Sequence, residues 1–353
     1  MTRKSDSSAD HQLQHNFRVV IVCVTRTRTN QFDASISAQS GRVACPRSPN
    51  WEAKQRGQAT LPDLRYPFVD SLPCSKLICY PVNHTVAIVP ARLASTRLPG
   101  KALIEIAGKP MVCWVAERAL AARNVDRVIV ATDSHQIMSV VQSSGIEAVM
   151  TSADHKSGTD RVAEVAATLS YAQIIVNVQG DEPMISPETI ERAVDAMAVE
   201  IAKPKGAGIV TTWEPIESND ELLNPDLVKV VLDGNKHAVY FSRSPIPFPR
   251  DAVKMHGSPD AALVKEPELL KLFRKHTGLY VYRREVLLEF TKWPQSRLEK
   301  IEALEQLRAM EHGVKIKVVE ACARSTGVDT VDDLERVRAV METSQPNRTF
   351  QRA

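Results

Sequence analysis

No apolar run in this 353-residue chain approaches the ~20 residues a membrane-spanning helix needs, so a transmembrane enzyme is not expected. Cysteine is scarce. The six cysteines form no CxxC pair, and their wide spacings resemble neither a zinc knuckle nor a compact disulfide scaffold. Four of them (Cys23, Cys45, Cys74, Cys79) precede residue 85, leaving only Cys113 and Cys322 beyond it, which reads as a reduced, cytoplasmic body. The P-loop pattern GxxxxGK[ST] is absent, because Gly100-Lys101 is followed by Ala102. No internal repeat is evident, which excludes a solenoid. No Ser-His-Asp or Cys-His set stands out, so no covalent enzyme intermediate is called for.

What is present is ordinary globular composition, 43% hydrophobic and 25% charged. The net charge of +3 is misleading. Residues 1–84 hold 11 Lys and Arg against 6 Asp and Glu, while the remaining 269 hold 34 against 36. The positive excess therefore belongs to the N-terminal segment, and no nucleic-acid-binding core is implied.

That segment, residues 1–84, shows no sustained helical or alternating pattern around its one short apolar run at residues 19–24. Three origins stand open for it: a translation start placed too far upstream, a targeting sequence, or a disordered tail. From Thr85 the character changes. Val86 to Pro90 reads as a buried strand, followed by a loop to Lys101 and a helix opened by Pro110. Further strands are predicted at 128–131, 147–150 and 174–178, with helices at 137–141 and 161–169 between them. Strands alternating with helices mean βαβ units: an α/β fold with a mostly parallel central sheet and helices on both faces. In the second half, strands are predicted at 207–213, 228–233, 238–242, 276–282 and 314–319. One helix is predicted over 298–310 and another over 332–341. The expected organisation is thus an extension over 1–84, one domain over 85–342 and a tail over 343–353.

Ligands in such sheets bind beyond the carboxyl ends of the strands. Three polar segments fall there: Arg92–Lys101, Ser152–Arg161 and Gln179–Glu182. The first holds Arg92, Arg97 and Lys101 among small residues, as a polyphosphate site requires, although a solvated basic loop reads the same way. Asp181 follows a strand so apolar that an unpaired carboxylate would be costly. It suits a hard cation, or else caps a turn. Asp329 suits the N-terminus of the helix near Asp332. Ser157-Gly158-Thr159 reads as a helix start with Asp160 in its first turn.

The stretch Pro90-Ala91-Arg92 to Lys101, with Gly108-Lys109-Pro110-Met111 after it, resembles the signature of sugar nucleotidyltransferases. Ala153 to Arg161, Asn177 to Pro183, Leu298 to Arg308 and Thr326 to Thr330 are similar to stretches of the 3-deoxy-manno-octulosonate cytidylyltransferases. The resemblance runs in order over residues 85–342. It implies a Rossmann-like nucleotidyltransferase fold with a smaller sugar-binding and dimerisation subregion. It also implies transfer of CMP from CTP to 3-deoxy-D-manno-octulosonate for lipopolysaccharide biosynthesis. On this resemblance Ala91, Arg92, Arg97, Lys101, Ser157, Gly158, Arg161 and Gln179 hold the nucleotide, with Arg92, Lys101 and Asp181 catalytic. Asp181 and Asp329 hold Mg²⁺, and Arg243, His276, Tyr280, Glu305 and Gln306 meet the sugar. Thr277 and Val281 depart from the Leu and Gly expected there. A homodimer is implied as well. Two rival readings stay open: the same chemistry on another acidic sugar, such as a sialic acid or an 8-amino variant, or a silent nucleotide sensor.

Overall fold

The computed structural model describes residues 84–343, apart from Thr96, together with the backbone of two strands further upstream. The chain divides into two units, Met1–Val82 and Asn83–Ala353. In the first, strands Val20–Arg26 and Phe32–Ala38 pair antiparallel, with Val20 opposite Ala38. The apolar run at 19–24 thus supplies most of one strand, for which the sequence reading named no partner. The rest of the expected extension and the tail beyond Thr343 lie outside the described residues.

The second unit is built on a nine-stranded sheet. Its strands are β1 Thr85–Ala91, β2 Arg127–Thr132, β3 Glu147–Met150, β4 Ile174–Asn177 and β5 Ile209–Pro215. They continue as β6 Lys229–Leu232, β7 Ala238–Ser242, β8 Arg274–Arg283 and β9 Ile316–Glu320. The order is β7-β6-β8-β4-β1-β2-β3, with β5 paired to β8 and β9. The part formed by β4, β1, β2 and β3 is parallel, as βαβ units require. Strand β8 enters antiparallel to both β4 and β5, while β9 runs parallel to β5.

The helices are α1 Met111–Leu120, α2 His135–Ser143, α3 Gly158–Thr168 and α4 Pro187–Ile201. After them come α5 Asn219–Leu223, α6 Arg250–His256, α7 Pro259–Lys265 and α8 Arg284–Phe290. The last three are α9 Arg297–Glu302, α10 Gln306–Glu311 and α11 Val331–Thr343. Every residue of β1 is buried, and its alternating side chains serve two cores. Ala87 and Val89 pack with Val115 of α1, Ile137 of α2 and Val194 of α4. Val86 and Ile88 pack with Val162 and Val165 of α3 and Leu287 of α8. Each such fully buried aliphatic side chain contributes about 1.5–3 kcal/mol.

One prediction needs correction. The helix expected over 298–310 is broken: Ala303 takes the left-handed conformation (φ 52°) and ends α9, and α10 starts anew at Gln306. The break leaves Ile301 68% exposed, while Leu304 and Leu307 stay buried. Helix α4 is not singled out by the sequence reading, although Ser186 caps it, Pro187 opens it and Glu188 lies in its first turn.

A third, smaller core positions the site. Leu98 and Ile106 of the segment after β1 pack with Met111, Val328, Leu334, Val337 and Met341. This apolar contact draws α11, and the loop before it, onto the basic loop that follows β1.

Candidate active site

A cleft lies beyond the carboxyl ends of β1 and β4. It is lined by Pro90, Ala91, Arg92, Ser95, Arg97 and Lys101 from the first loop, His155 to Gly158 and Arg161 from the start of α3, Gln179 to Asp181 after β4, and Asp329. Every residue expected to hold the nucleotide or the metal is therefore brought to one place, although they come from four separate segments. Ser95, His155, Lys156 and Gly180 were not singled out. The signal for them was their position inside motifs already recognised.

Gly100, in the left-handed region at φ 66°, turns the chain so that Lys101 points back into the cleft. Its Nζ lies 2.6 Å from Oδ2 of Asp181 and 2.9 Å from Oδ1 of Asp329. Arg97 approaches the other oxygen of Asp329 at 3.2 Å. Burial pulls the Lys101 ammonium downward, but Asp181 and then Asp329 outweigh it and hold its pKa above the ordinary value.

The helix caps open to the two aspartates are filled by other residues. At α11 the hydroxyl of Thr330 accepts the N–H of Asp333, whose carboxylate accepts the N–H groups of Asp329 and Thr330. Asp329 is thus spared from capping and faces Lys101. Helix α4, which follows Asp181, is capped by Ser186.

Ser157 caps α3 in a reciprocal box with Asp160, so the nucleotide loop opens on a rigid helix end. Gly158 lets it pass against Pro90, where an added Cβ would stand 3.4 Å from Cγ. Gly180 is tighter: a Cβ there would meet the Pro90 carbonyl oxygen at 2.6 Å. Arg161 lines the cleft but is buried and committed, donating to Asp133 at 2.7 Å and to Thr151. Its guanidinium therefore ties the ends of β2 and β3 to α3. Gln179 donates through Nε2 to Asn177 at 3.3 Å.

The five expected sugar residues do not line this cleft. Glu305 accepts from Thr159 of α3 at 2.7 Å, and Gly278 leaves room for Gln179, whose Cγ would lie 3.2 Å from an added Cβ. His276 is half-buried against Phe241 and Tyr280, and desolvation lowers its pKa to about 3. Thr211 donates to the Leu279 carbonyl at 2.7 Å, so its oxygen receives the Nε2–H of a neutral His276 at 2.8 Å. Gln306 is buried, with no protein partner for Nε2 among the described residues. Arg243 donates to the carbonyls of Glu302, Pro225 and Ala303, bracing the α9–α10 break.

Glu182, the last residue of the polar segment after β4, turns away from the cleft to Ser325. Desolvation lifts its carboxyl to about 7, against the hydrogen bond from Ser325.

Residues 86–316 match the family described as cytidylyltransferase. A putative glucose-1-phosphate thymidylyltransferase from Bacillus anthracis shares the fold, with a TM-score of 0.51 over 75% of this chain and 98% of its own, at 14% identity. The fold is the Rossmann-like fold of the nucleotidyltransferases. The 3-deoxy-manno-octulosonate cytidylyltransferase of Geobacter sulfurreducens is 51% identical over 254 residues, covering 72% of this chain and 98% of the relative. That of Neisseria meningitidis is 49% identical over 265 residues, covering 74% and 100%. The structure of a CMP:2-keto-3-deoxy-manno-octonic acid synthetase complexed with CTP aligns with a TM-score of 0.66 and 42% identity, over 74% of this chain and all of that one. The chain belongs to the 3-deoxy-manno-octulosonate cytidylyltransferase family.

Proposed function

We propose that this protein transfers the CMP moiety of CTP to the anomeric hydroxyl of 3-deoxy-D-manno-octulosonate, releasing pyrophosphate. The observation that carries the reading is the convergence of Arg97, Lys101, Asp181 and Asp329 at the mouth of a loop built on a capped helix. In-line displacement at the α-phosphorus develops charge on the leaving pyrophosphate. Arg92, Arg97 and Lys101 are the cations available to neutralise it. Ser157 and Gly158, at the N-terminus of α3, offer backbone donors and acceptors to the nucleoside. Arg161 fixes that loop and Gln179 lies beside it. Ala91 closes the cleft at the end of β1.

The donor set fits a magnesium ion. Asp181 and Asp329 converge on a single positive centre, the Lys101 ammonium, and no group of three or more His, Cys, Asp or Glu side chains is gathered among the described residues. Magnesium is commonly held by one or two carboxylates plus substrate oxygens and water. Bound there, the ion would supply electrostatic stabilisation of charge on the phosphates.

Sugar recognition falls to His276, Tyr280, Glu305 and Gln306, with Arg243 bracing their segment. The neighbouring positions and the unpaired Gln306 amide support this. The product's destination in lipopolysaccharide, a cytoplasmic location and a homodimer belong to the same reading. No helix among the described residues is long and apolar enough to cross a membrane. Large apolar side chains exposed at Phe248, Met255, Val264 and Ile301 support self-association through the second half.

A pyrophosphate-release assay with CTP tests the reading. Release is expected with 3-deoxy-D-manno-octulosonate, with the CMP-sugar recovered by mass spectrometry. Release only with a sialic acid would reassign the sugar, and none with any sugar would overturn the enzyme.

A further inference from the structure

The two aspartates come from opposite ends of the domain, Asp181 just after β4 and Asp329 just before α11. What sets their separation is visible behind the cleft. The backbone N–H of Val328 donates to the Asp181 carbonyl at 2.9 Å. Beside it, the hydroxyl of Ser325 donates to the carboxylate of Glu182. Gly327 passes so close that an added Cβ would stand 3.1 Å from Oε1 of Glu182. The loop before Asp329 is therefore pinned to the turn carrying Asp181 by one backbone bond and one side-chain bond.

This pin has an anchor of its own. The N–H of Ser325 donates at 2.9 Å to Glu214 of β5, a residue only 1% exposed. The other oxygen of Glu214 lies 2.9 Å from Nζ of Lys275 on β8. Glu214 is thus buried, and Glu182 and Lys275 half-buried, where none of them lines the cleft. Burying such charges is a costly route to stability alone, since apolar residues of similar volume often serve as well or better. Their arrangement joins two sheet strands to both aspartate-bearing segments.

We infer that Ser325 and Glu182, anchored by Glu214 and Lys275, form a strut that holds Asp181 and Asp329 at the separation needed to share one divalent cation. Ser325 and Glu182 are positioning residues. They touch neither substrate nor ion, and they act through the carboxylates. The inference rests on the reading of Asp181 and Asp329 as cation ligands given above.

The test is Mn²⁺ binding, followed by electron paramagnetic resonance, to the full-length protein with CTP and without sugar. Four proteins are compared: the unaltered chain, Ser325→Ala, Ser325→Thr and Asp181→Asn. Ser325→Ala is expected to weaken Mn²⁺ binding about tenfold, the effect of losing one hydrogen bond to a charged group. Ser325→Thr, which keeps the hydroxyl, is expected to recover most of it. The Mg²⁺ concentration for half-maximal turnover should rise in parallel, while kcat at saturating Mg²⁺ stays within about twofold, because the ligands themselves remain. If Ser325→Ala binds Mn²⁺ like the unaltered chain while Asp181→Asn does not, the strut is refuted and the cation site stands. If Asp181→Asn also binds normally, the cation reading itself falls. A lowered melting temperature with unchanged Mn²⁺ affinity would make the network purely structural. Should Ser325→Ala fail to fold, Glu182→Ala, which removes the acceptor of the same bond, carries the same comparison, and normal affinity there would equally refute the strut.

Discussion

Lys101 and Asp181 stand 2.6 Å apart, Nζ to Oδ2, and the same ammonium reaches Asp329 at 2.9 Å. One cation from the loop after β1 thus balances two carboxylates that the chain brings from elsewhere. Replacing Asp181 by Asn keeps the shape and removes one ligand charge. Turnover is expected to fall about 10²-fold or more, as when a comparable transition-state stabiliser is lost. CTP binding without sugar should weaken less, since Arg92, Arg97 and Lys101 remain. Adding Asp329→Asn should cost less than the product of the two single losses, because both carboxylates serve one ion. Steady-state kinetics and calorimetry decide this, and near-full activity of Asp181→Asn in Mg²⁺ would return that residue to a turn role.

Lys101→Arg should not rescue what Lys101→Met loses. A compact ammonium meets two oxygens from one point, whereas a guanidinium is a planar fork that needs a different approach. Both variants are expected to reduce kcat/KM for CTP. Restoration of wild-type kinetics by arginine would show that only net charge matters there.

Gly180→Ala probes the close approach of two strand ends. Its Cβ would fall 2.6 Å from a backbone oxygen of Pro90, which no side-chain rotation relieves. A loss of about 1–3 kcal/mol is expected from such overpacking. Chemical denaturation reads it, and an unchanged midpoint would mean that the turn yields freely.

His276 makes stability depend on pH. Its folded pKa is lowered to about 3 by burial, against an ordinary value of 6.5. Between those values the unfolded chain binds a proton that the folded chain does not. Stability from this group is therefore complete above about pH 6.5 and declines toward pH 3, by about 1.4 kcal/mol per pH unit. His276→Gln should flatten that slope in denaturation curves taken at pH 7, 6 and 5. An unchanged slope would mean that the imidazole titrates normally in the folded state.

Arg243→Ala is expected to lower the melting temperature as well as raise KM for the sugar. Its guanidinium serves three carbonyls around the α9–α10 break, and each lost bond costs about 1 kcal/mol. A raised sugar KM with unchanged thermal stability would instead assign the side chain wholly to substrate.

Some of this was legible without coordinates because the information is local. A run such as Val86 to Pro90 buries both faces, so it reads as an inner strand, and the basic loop must then lie at its carboxyl end. Ser157 and Asp160 are near enough in sequence for their reciprocal cap to be read as a helix start. The break at Ala303 was not legible. Alanine is a strong helix former, and its left-handed turn goes with tertiary contacts, its carbonyl accepting from Arg243 while the next residue, Leu304, is buried. Helix α4 carried its signals in Ser186, Pro187 and Glu188, and they went unread beside the more specific motif before them.

The amino-acid sequence by itself determined the parallel βαβ framework, the loop chemistry and the family, because hydrophobic period, cap residues and contiguous motifs act over a few residues. Tertiary structure alone decided which partner each carboxylate meets. Asp329 and Asp333 are equally plausible caps in a string of letters, and Glu182 is as plausible a cation neighbour as Asp181. Packing of Leu98 and Ile106 against Val328 and α11 brings Asp329 to Lys101, while Ser325 draws Glu182 away. Those choices depend on which groups meet after burial, where an unpaired charge is costly, and no spacing along the chain encodes that meeting.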